Sequence, residues 1–269
     1  MKQIQHADDM RFWADEQRSL HKTIGFVPTM GALHTGHLSL AEAAVRDNDL
    51  GVASIFVNPT QFAPLEDFDQ YPRPLEEDLA KLETAGIAAV YMPTAAEMYP
   101  RNFSTYIDVE QVSQGLCGGS RPHFFRGVAT VVTKLFNAVK PHRAYFGQKD
   151  AQQCAVIKRM VRDLDMGIEI VEMPIVREPD GLAMSSRNVY LTAEDRKRAL
   201  CLSRALFDAE KKLRNGERDG GVLVQGVRDA MRNVEIDYVA LVDAETMQPI
   251  REPIRPVVLA VAAFLPRRD

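Results

Sequence analysis

The sequence predicts an α/β protein in which a parallel sheet is flanked by helices and followed by a smaller C-terminal α+β domain. Three observations predict it. Short apolar runs alternate with helix-period segments over the first 176 residues. Four of those runs, ending at Val27, Val57, Phe146 and Val171, give way to polar loops. After Val176 the order changes to turns, then helices, then strands. Alternating strands and helices imply parallel pairing with helices on both faces, and ligands of such sheets bind beyond the carboxyl ends of the strands. The four loops are therefore expected to converge on one crevice.

In order, residues 6–20 read as an amphipathic helix leading into a strand at 24–27. Residues 28–40, PTMGALHTGHLSL, follow as a glycine-bearing loop and the start of a helix. Thr35 reads as the N-cap, which would leave the amides of Gly36, His37 and Leu38 open to an anion. Gly31 and Gly36 have the spacing of a Walker A loop, but His37-Leu38 stands where that motif needs Lys-Ser/Thr, so a P-loop is excluded. A zinc pair lacks a nearby cysteine or third histidine. His34 and His37 lie three residues apart on one side of the helix start and can face the same anion. Alone, two histidines in such a place are most simply a polar loop.

A second strand at 52–57 is broken by Asn58-Pro59, and a polar loop over 60–74 carries Gln61. A helix at 75–84 and a strand at 87–91 come next. Glu76, Glu77 and Asp78 are explained by the helix dipole more cheaply than as metal ligands. A further strand is expected at 105–109, then a glycine-rich loop around Gly115, Gly118 and Gly119. A helix beginning at Gly127 puts Val128, Val131, Val132, Leu135, Phe136 and Val139 on one core-facing stripe, and Pro141 ends it. The strand at 144–146 delivers Gly147, Gln148, Lys149 and Asp150 into another helix, and 168–171 is the next strand. Beyond a turn-rich stretch at 177–191, Thr192 with Asp195 opens a long helix. A helix at 222–232 and strands at 236–242 and 257–265 complete the chain. The domain boundary is set between residues 176 and 177.

The chain has 269 residues, 46% hydrophobic and 26% charged, with a net charge of -4 and no long basic run. General nucleic-acid binding has little electrostatic support from that balance. Cys117, Cys154 and Cys201 form no CxxC and are read as reduced thiols of a cytoplasmic protein. The N-terminus is too charged for a signal peptide, and no segment approaches the roughly 20 apolar residues that span a bilayer.

Met184-Ser185-Ser186-Arg187 supplies two hydroxyls and a permanently charged fork, a good phosphate clamp. With the HxGH stretch it is similar to the HIGH and KMSKS pair of adenylate-forming enzymes. The sequence resembles the pantothenate synthetase (pantoate–β-alanine ligase) family in PTMGALHTGHLSL, FVNPTQF at 56–62, YPRPLEEDL at 71–79, GVATVVTKLFNAVKP at 127–141, AYFGQKDAQQ at 144–153 and DGLAMSSRNVYL at 180–191. It departs at RPHFFRG, 121–127, where a Gly is expected before His-Phe. The last 75 or so residues match less distinctively.

The resemblance implies a Rossmann-like domain over 1–176 and a C-terminal domain over 177–269 acting as a lid. It implies condensation of (R)-pantoate with β-alanine, with ATP as co-substrate and Mg²⁺ on its phosphates, through a pantoyl-adenylate. Catalytic roles fall to His37, His34, Lys149 and Arg187, with His37 most often the proton donor. ATP contacts fall to Met30, Gly31, Ala32, Leu33, His34, Thr35, Gly36, His37, Gly147, Gln148, Lys149, Asp150, Val176, Met184, Ser185, Ser186 and Arg187. Asp150 could instead cap its helix. Gln61 and Gln153 would take pantoate, Gln61 also β-alanine, with Pro28 and Met30 against the gem-dimethyl group and Asn58 orienting the site. The partners are small molecules, with no nucleic acid and no membrane, and a homodimer is carried over from the family. Two rivals are an adenylyltransferase of the same superfamily, against which the two glutamines argue, and an RNA-binding module, against which the charge argues.

Overall fold

The apolar runs resolve into a six-stranded sheet and a separate two-stranded ribbon. The computed structural model describes residues 1–63 and 66–265. Residues 64–65 of the expected 60–74 loop, and 266–269 of the expected C-terminal domain, lie outside the described residues.

The chain divides into two units, one comprising residues 1–109 and 123–176, the other 110–122 and 177–269. In the first unit the order is β1 (Lys2–Ile4), α1 (Ala7–Ser19), β2 (Ile24–Thr29), α2 (Thr35–Asp47), β3 (Leu50–Ile55), α3 (Leu75–Thr84), β4 (Ala89–Tyr91) and α4 (Ala95–Met98). Then, after α5 (Leu116–Ser120) of the second unit, come α6 (Phe124–Val139), β5 (Arg143–Gly147), α7 (Ala151–Asp163) and β6 (Glu169–Met173). The strands lie in the order β1-β4-β3-β2-β5-β6, and every pairing is parallel. From β2 the chain winds outward through β3 and β4, then returns to lay β5 on the other side. The direction of winding reverses between β2 and β5, which is where such sheets open a crevice.

Alternation along the strands sends successive side chains to opposite faces. Phe26, Val52 and Phe146 join a core with Met10 and Trp13 of α1, Val128 to Val139 of α6 and Ile157 and Met160 of α7. Val27 and Tyr145 pack on Leu40, Ala43 and Ala44 of α2, while Ala53 and Val90 meet Ala41 of α2 and Leu82 of α3.

The second unit holds α8 (Ala193–Arg214), α9 (Gly220–Ala230), β7 (Glu235–Asp243) and β8 (Val257–Phe264), the last two antiparallel. Ala205, Ala209, Leu223, Val227 and Met231 pack on Val239 to form its core. The Thr192 hydroxyl accepts the Asp195 amide at 3.1 Å, as the capping-box pattern requires. Residues 110–122 join this unit because Ser120 Oγ donates to Asp237 of β7 at 2.7 Å and Gln248 reaches the Gln111 carbonyl.

Several expectations fail for physical reasons. Strand β1 is too short and polar to stand out in sequence and exists through its pairing with β4. Residues 105–109 are not a strand; Ile107 and Val109 pack on the core, and the Ile107 amide donates to Thr130 Oγ1 of α6 at 3.0 Å. The glycine-rich loop contains the short helix α5, and α6 begins at Phe124, three residues before Gly127. That places the RPHFFRG departure at the junction and first turn of α6.

Gly127 is needed for contact, not flexibility. A Cβ there would stand 2.5 Å from the Thr60 carbonyl oxygen, so only glycine lets α6 press against the 3-10 turn at Pro59–Gln61. In an open helix Gly→Ala would stabilise by about 1 kcal/mol. Here the overlap dominates, and Gly127→Ala is expected to destabilise the protein by about 1–3 kcal/mol in chemical denaturation. A variant as stable as the parent would show that the two elements are not pressed together.

Candidate active site

The loop leaving β2 reverses direction through two residues with positive φ, Gly31 (82°) and Ala32 (51°). That shape points consecutive amides the same way, a concave donor surface of the kind that binds anions. The anion is the protein's own. Asp78 of α3, 1% exposed, accepts the Ala32 and Leu33 amides at 2.7 Å each. Lys81, one turn further along α3, donates to the Leu33 carbonyl at 3.0 Å. The Gly31 amide donates to Thr29 Oγ1 at 3.1 Å. A Cβ at Gly31 would be 3.0 Å from Asp78 Oδ2, tighter than side chains ordinarily pack, and the positive φ would strain it as well. Asp78 therefore braces the loop from another helix, which corrects the reading of it as a dipole partner alone.

The start of α2 is corrected too. His34, not Thr35, is the N-cap, and its Nδ1 accepts the Gly36 amide at 3.1 Å. The amides of His37 and Leu38 donate to the His34 carbonyl at 2.8 and 3.1 Å. The three amides expected to greet an anion are thus already committed within the chain.

The two imidazoles stack with centroids 4.0 Å apart and planes inclined by 28°. His34 Nδ1 accepts a hydrogen bond, and His37 Nδ1 faces the His34 amide at 3.5 Å. Each neutral ring consequently carries its proton on Nε2. Burial, then the charges of His34 and Lys149, push the His37 pKa down to about 3, with Asp150 opposing. The residue is half-buried by accessible surface, yet enough protein surrounds the ring to disfavour its cation.

Lys149 and Asp150 lie in the 3-10 turn that joins β5 to α7, and both act on the charge of His37. Lys149 Nζ is 3.3 Å from Asp150 Oδ1, and both side chains are exposed. Asp150 makes no side-chain cap on α7, which removes the capping alternative. Gly147 ends β5, Gln148 opens the turn, and Gln153 stands half-buried in the first turn of α7. Val176 is half-buried at the end of the first unit's last segment.

On the other side of the loop, Gln61 Nε2 meets Met30 Sδ at 3.0 Å and Gln61 Oε1 accepts from Asn58 Nδ2 at 3.0 Å. Pro28, in β2, is half-buried. The first unit therefore groups His34, His37, Lys149 and Asp150, and separately joins Met30, Asn58 and Gln61, all at the carboxyl ends of the central strands.

Met184, Ser185, Ser186 and Arg187 belong to the second unit. The first three are half-buried and Arg187 is exposed. Asn188, held by Glu178, ties the two ends of this segment together. Glu178 Oε1 accepts Asn188 Nδ2 at 2.7 Å, and the same Nδ2 reaches the Ala183 carbonyl at 3.0 Å. Glu178 Oε2 pairs with Arg196 of α8 at 2.6 Å, and Arg196 also holds Asp180 at 2.8 Å. Arg196 and hydrogen bonding from Asn188 hold the Glu178 carboxyl below its ordinary range. Sequence reasoning missed Asp78, Lys81, Glu178 and Arg196. Each acts on a segment distant in sequence or through a hydrogen-bond pattern with no fixed spacing.

Among the described residues, no group of three or more His, Cys, Asp and Glu side chains is arranged to hold a metal ion, and no helix is long and apolar enough to cross a membrane.

A family model described as pantoate-beta-alanine ligase matches residues 2–268. A pantothenate synthetase of Thermotoga neapolitana is 55% identical over 272 residues, covering 98% of this chain and 96% of the relative. The crystal structure of a pantothenate synthetase from Thermus thermophilus matches with a TM-score of 0.92 at 43% identity, over 98% of this chain and 95% of that one. A pantoate-beta-alanine ligase from Francisella tularensis, solved with beta-gamma ATP and beta-alanine, gives a TM-score of 0.74 at 34% identity over 89% and 88% of the two chains.

Two outcomes are expected of the site. Ring-nitrogen NMR of the free protein should find His37 neutral, protonated on Nε2, from pH 8 to pH 5, because its depressed pKa lies below that window. The same depression makes the unfolded chain the better proton acceptor below about pH 6.5, so this group's contribution to stability is present above that pH and lost as pH falls toward 3. Protonation of the folded ring near pH 6.5 would contradict the geometry. Asp78→Asn turns one acceptor into a donor facing an amide and should cost about 1–3 kcal/mol in stability, with a lower kcat/KM; an unchanged kcat/KM would remove Asp78 from any part in shaping the site.

Proposed function

The chain belongs to the pantoate–beta-alanine ligase family, and from that premise we propose how its residues divide the work. The reaction is the ATP-dependent condensation of (R)-pantoate with β-alanine to pantothenate, with release of AMP and pyrophosphate. A pantoate carboxylate oxygen attacks the α-phosphorus and pyrophosphate leaves. The β-alanine amine then attacks the acyl carbon, loses a proton, and AMP leaves.

The first step sets anion against anion. Two unit charges at ~4 Å repel by on the order of 4 kcal/mol at an effective dielectric of 20, so donors and cations must offset it. The paired imidazoles beside Lys149 carry this proposal. In the free protein His37 is neutral and offers Nε2–H as a donor without the cost of a buried cation. An arriving triphosphate favours the protonated ring, so the proton affinity of His37 rises as the phosphates close in. The imidazoles would then stabilise charge developing on the phosphates, a role that depends on rigid placement.

Lys149 is assigned to the triphosphate and Asp150 to the ribose. Met30, Gly31, Ala32, Leu33, Thr35, Gly36, Gly147, Gln148 and Val176 are assigned to surfaces against ATP. Because several of these residues have committed amides, packing is their main contribution. Gln61 and Gln153 take pantoate, Gln61 also β-alanine, with Pro28 and Met30 against the gem-dimethyl group. The second unit is assigned the part of a lid, its Met184, Ser185, Ser186 and Arg187 meeting the phosphates during turnover. Mg²⁺ would arrive on the triphosphate, keeping several waters and neutralising phosphate charge. A homodimer in the cytoplasm completes the proposal.

The test is incubation with ATP, Mg²⁺, pantoate and β-alanine, scoring AMP and pantothenate. Omission of β-alanine should leave a trappable acyl-adenylate. His37→Ala should lower kcat by roughly 10²–10³-fold, the range for loss of one preorganised transition-state donor, with the fold intact by circular dichroism. Near-normal turnover in that variant would refute the assignment.

A further inference from the structure

Asn58 is buried at the head of the 3-10 turn, 1% exposed, and groups of fixed polarity hold both ends of its carboxamide. Its Oδ1 faces the Thr60 backbone amide at 3.4 Å, a group that can only donate. Its Nδ2 faces the Gly127 carbonyl at 3.3 Å, a group that can only accept. The amide therefore cannot be reversed without setting like against like at both ends. Two hydroxyls reinforce this orientation at Oδ1, Thr60 at 3.0 Å and Tyr99 at 2.7 Å.

The fixed polarity passes to the next side chain. Because Asn58 presents Nδ2, Gln61 answers with its oxygen, at 3.0 Å, and its Nε2 turns to the Met30 side. Tyr99 makes the shortest of these bonds, and its ring stands edge-on to Phe103 with centroids 5.2 Å apart, which restrains the hydroxyl. Burial pushes the phenol pKa up, so the group remains a donor across the working pH range.

We propose that Tyr99 is a positioning residue for the hydroxy-acid subsite, acting through Asn58 to keep Gln61 presenting N–H rather than carbonyl to the substrate. The inference rests on the assignment of Gln61 to pantoate and adds what that subsite selects. A substrate group opposite Gln61 must be an oxygen lone pair, from a carboxylate or hydroxyl. An ammonium would meet another donor and be refused. The order Tyr99 to Asn58 to Gln61 thus separates the acid substrate from the amine terminus of the other substrate at this point.

Steady-state kinetics on four proteins tests it: wild type, Gln61→Ala, Gln61→Glu and Tyr99→Phe, with pantoate and ATP varied separately. Gln61→Ala should raise KM for pantoate; an unchanged value would overturn the subsite assignment itself. Given that rise, Tyr99→Phe should raise KM for pantoate by roughly two- to tenfold, the effect of one net hydrogen bond, with KM for ATP within about twofold of wild type. Either no change, or a parallel rise for both substrates, would overturn the role of Tyr99 while leaving the subsite standing. Gln61→Glu keeps the bond from Asn58 but has no N–H to present, so it should harm pantoate binding more than Gln61→Ala. A wild-type KM in Gln61→Glu would overturn the polarity, and that readout holds even if Tyr99→Phe proves poorly folded.

Discussion

Asp78 reaches from α3 to take the Ala32 and Leu33 amides, and the loop between β2 and α2 has its shape because those two bonds are made. A carboxylate so deeply buried loses several kcal/mol of hydration. Two charge-assisted hydrogen bonds, each about 1.5–3 kcal/mol, offset much of that loss. Remove the carboxylate and two amides, that of Leu33 buried, lose their partner on a turn that already holds Ala32 at positive φ. The position of His34 depends on that turn, and the stacking of His37 depends on His34. One interaction between elements far apart in sequence therefore sets the direction of both rings.

The electrostatic state of the pair follows from the same crowding. Two stacked imidazoles with a lysine close by cannot all be charged in a partly dry site, so the more enclosed ring gives up its proton. A neutral ring with Nε2–H outward serves as a donor at neutral pH without first losing a proton to solvent. Such a site is responsive: an approaching anion opposes the burial and the neighbouring charges that keep the ring neutral. The backbone amides take little part in this, since those of Gly36, His37 and Leu38 are bonded to His34. The charge of an imidazole can change as an anion approaches, whereas the dipole of an amide is fixed.

The second unit uses another means to similar effect. Glu178 accepts Asn188 Nδ2, which also reaches the Ala183 carbonyl, so the two ends of Met184–Arg187 are tied together through Asn188, and Arg196 anchors Glu178 to α8. The segment is short and polar and would otherwise be a mobile loop with a large ordering entropy. Held at Ala183 and Asn188, it has that entropy largely removed before any ligand arrives, which is the physical content of preorganisation.

Five of the six strands of the large sheet and most of the helices are legible in the sequence, because burial periodicity is local: the stripe of α6, the run of β2 and the Thr192 cap are visible within a dozen residues. The sequence also placed the paired histidines, Lys149 and the glutamines at the carboxyl ends of strands, since strand order and parallel pairing fix where those loops emerge. The remaining features depend on contacts between elements distant in sequence. The alternation at 105–109 reflects packing on α6 rather than pairing in a sheet, and no local pattern distinguishes those two uses of apolar residues. Thr35 looked like the better cap because hydroxyls usually are, yet His34 takes the place once Asp78 has set the turn before it. The protonation of His37, the direction of the Asn58 amide and the clasp of Glu178 each depend on neighbours brought from 10 to 70 residues away or more. Periodicity records which face of an element is buried, whereas charge state and hydrogen-bond polarity depend on the atoms across the gap.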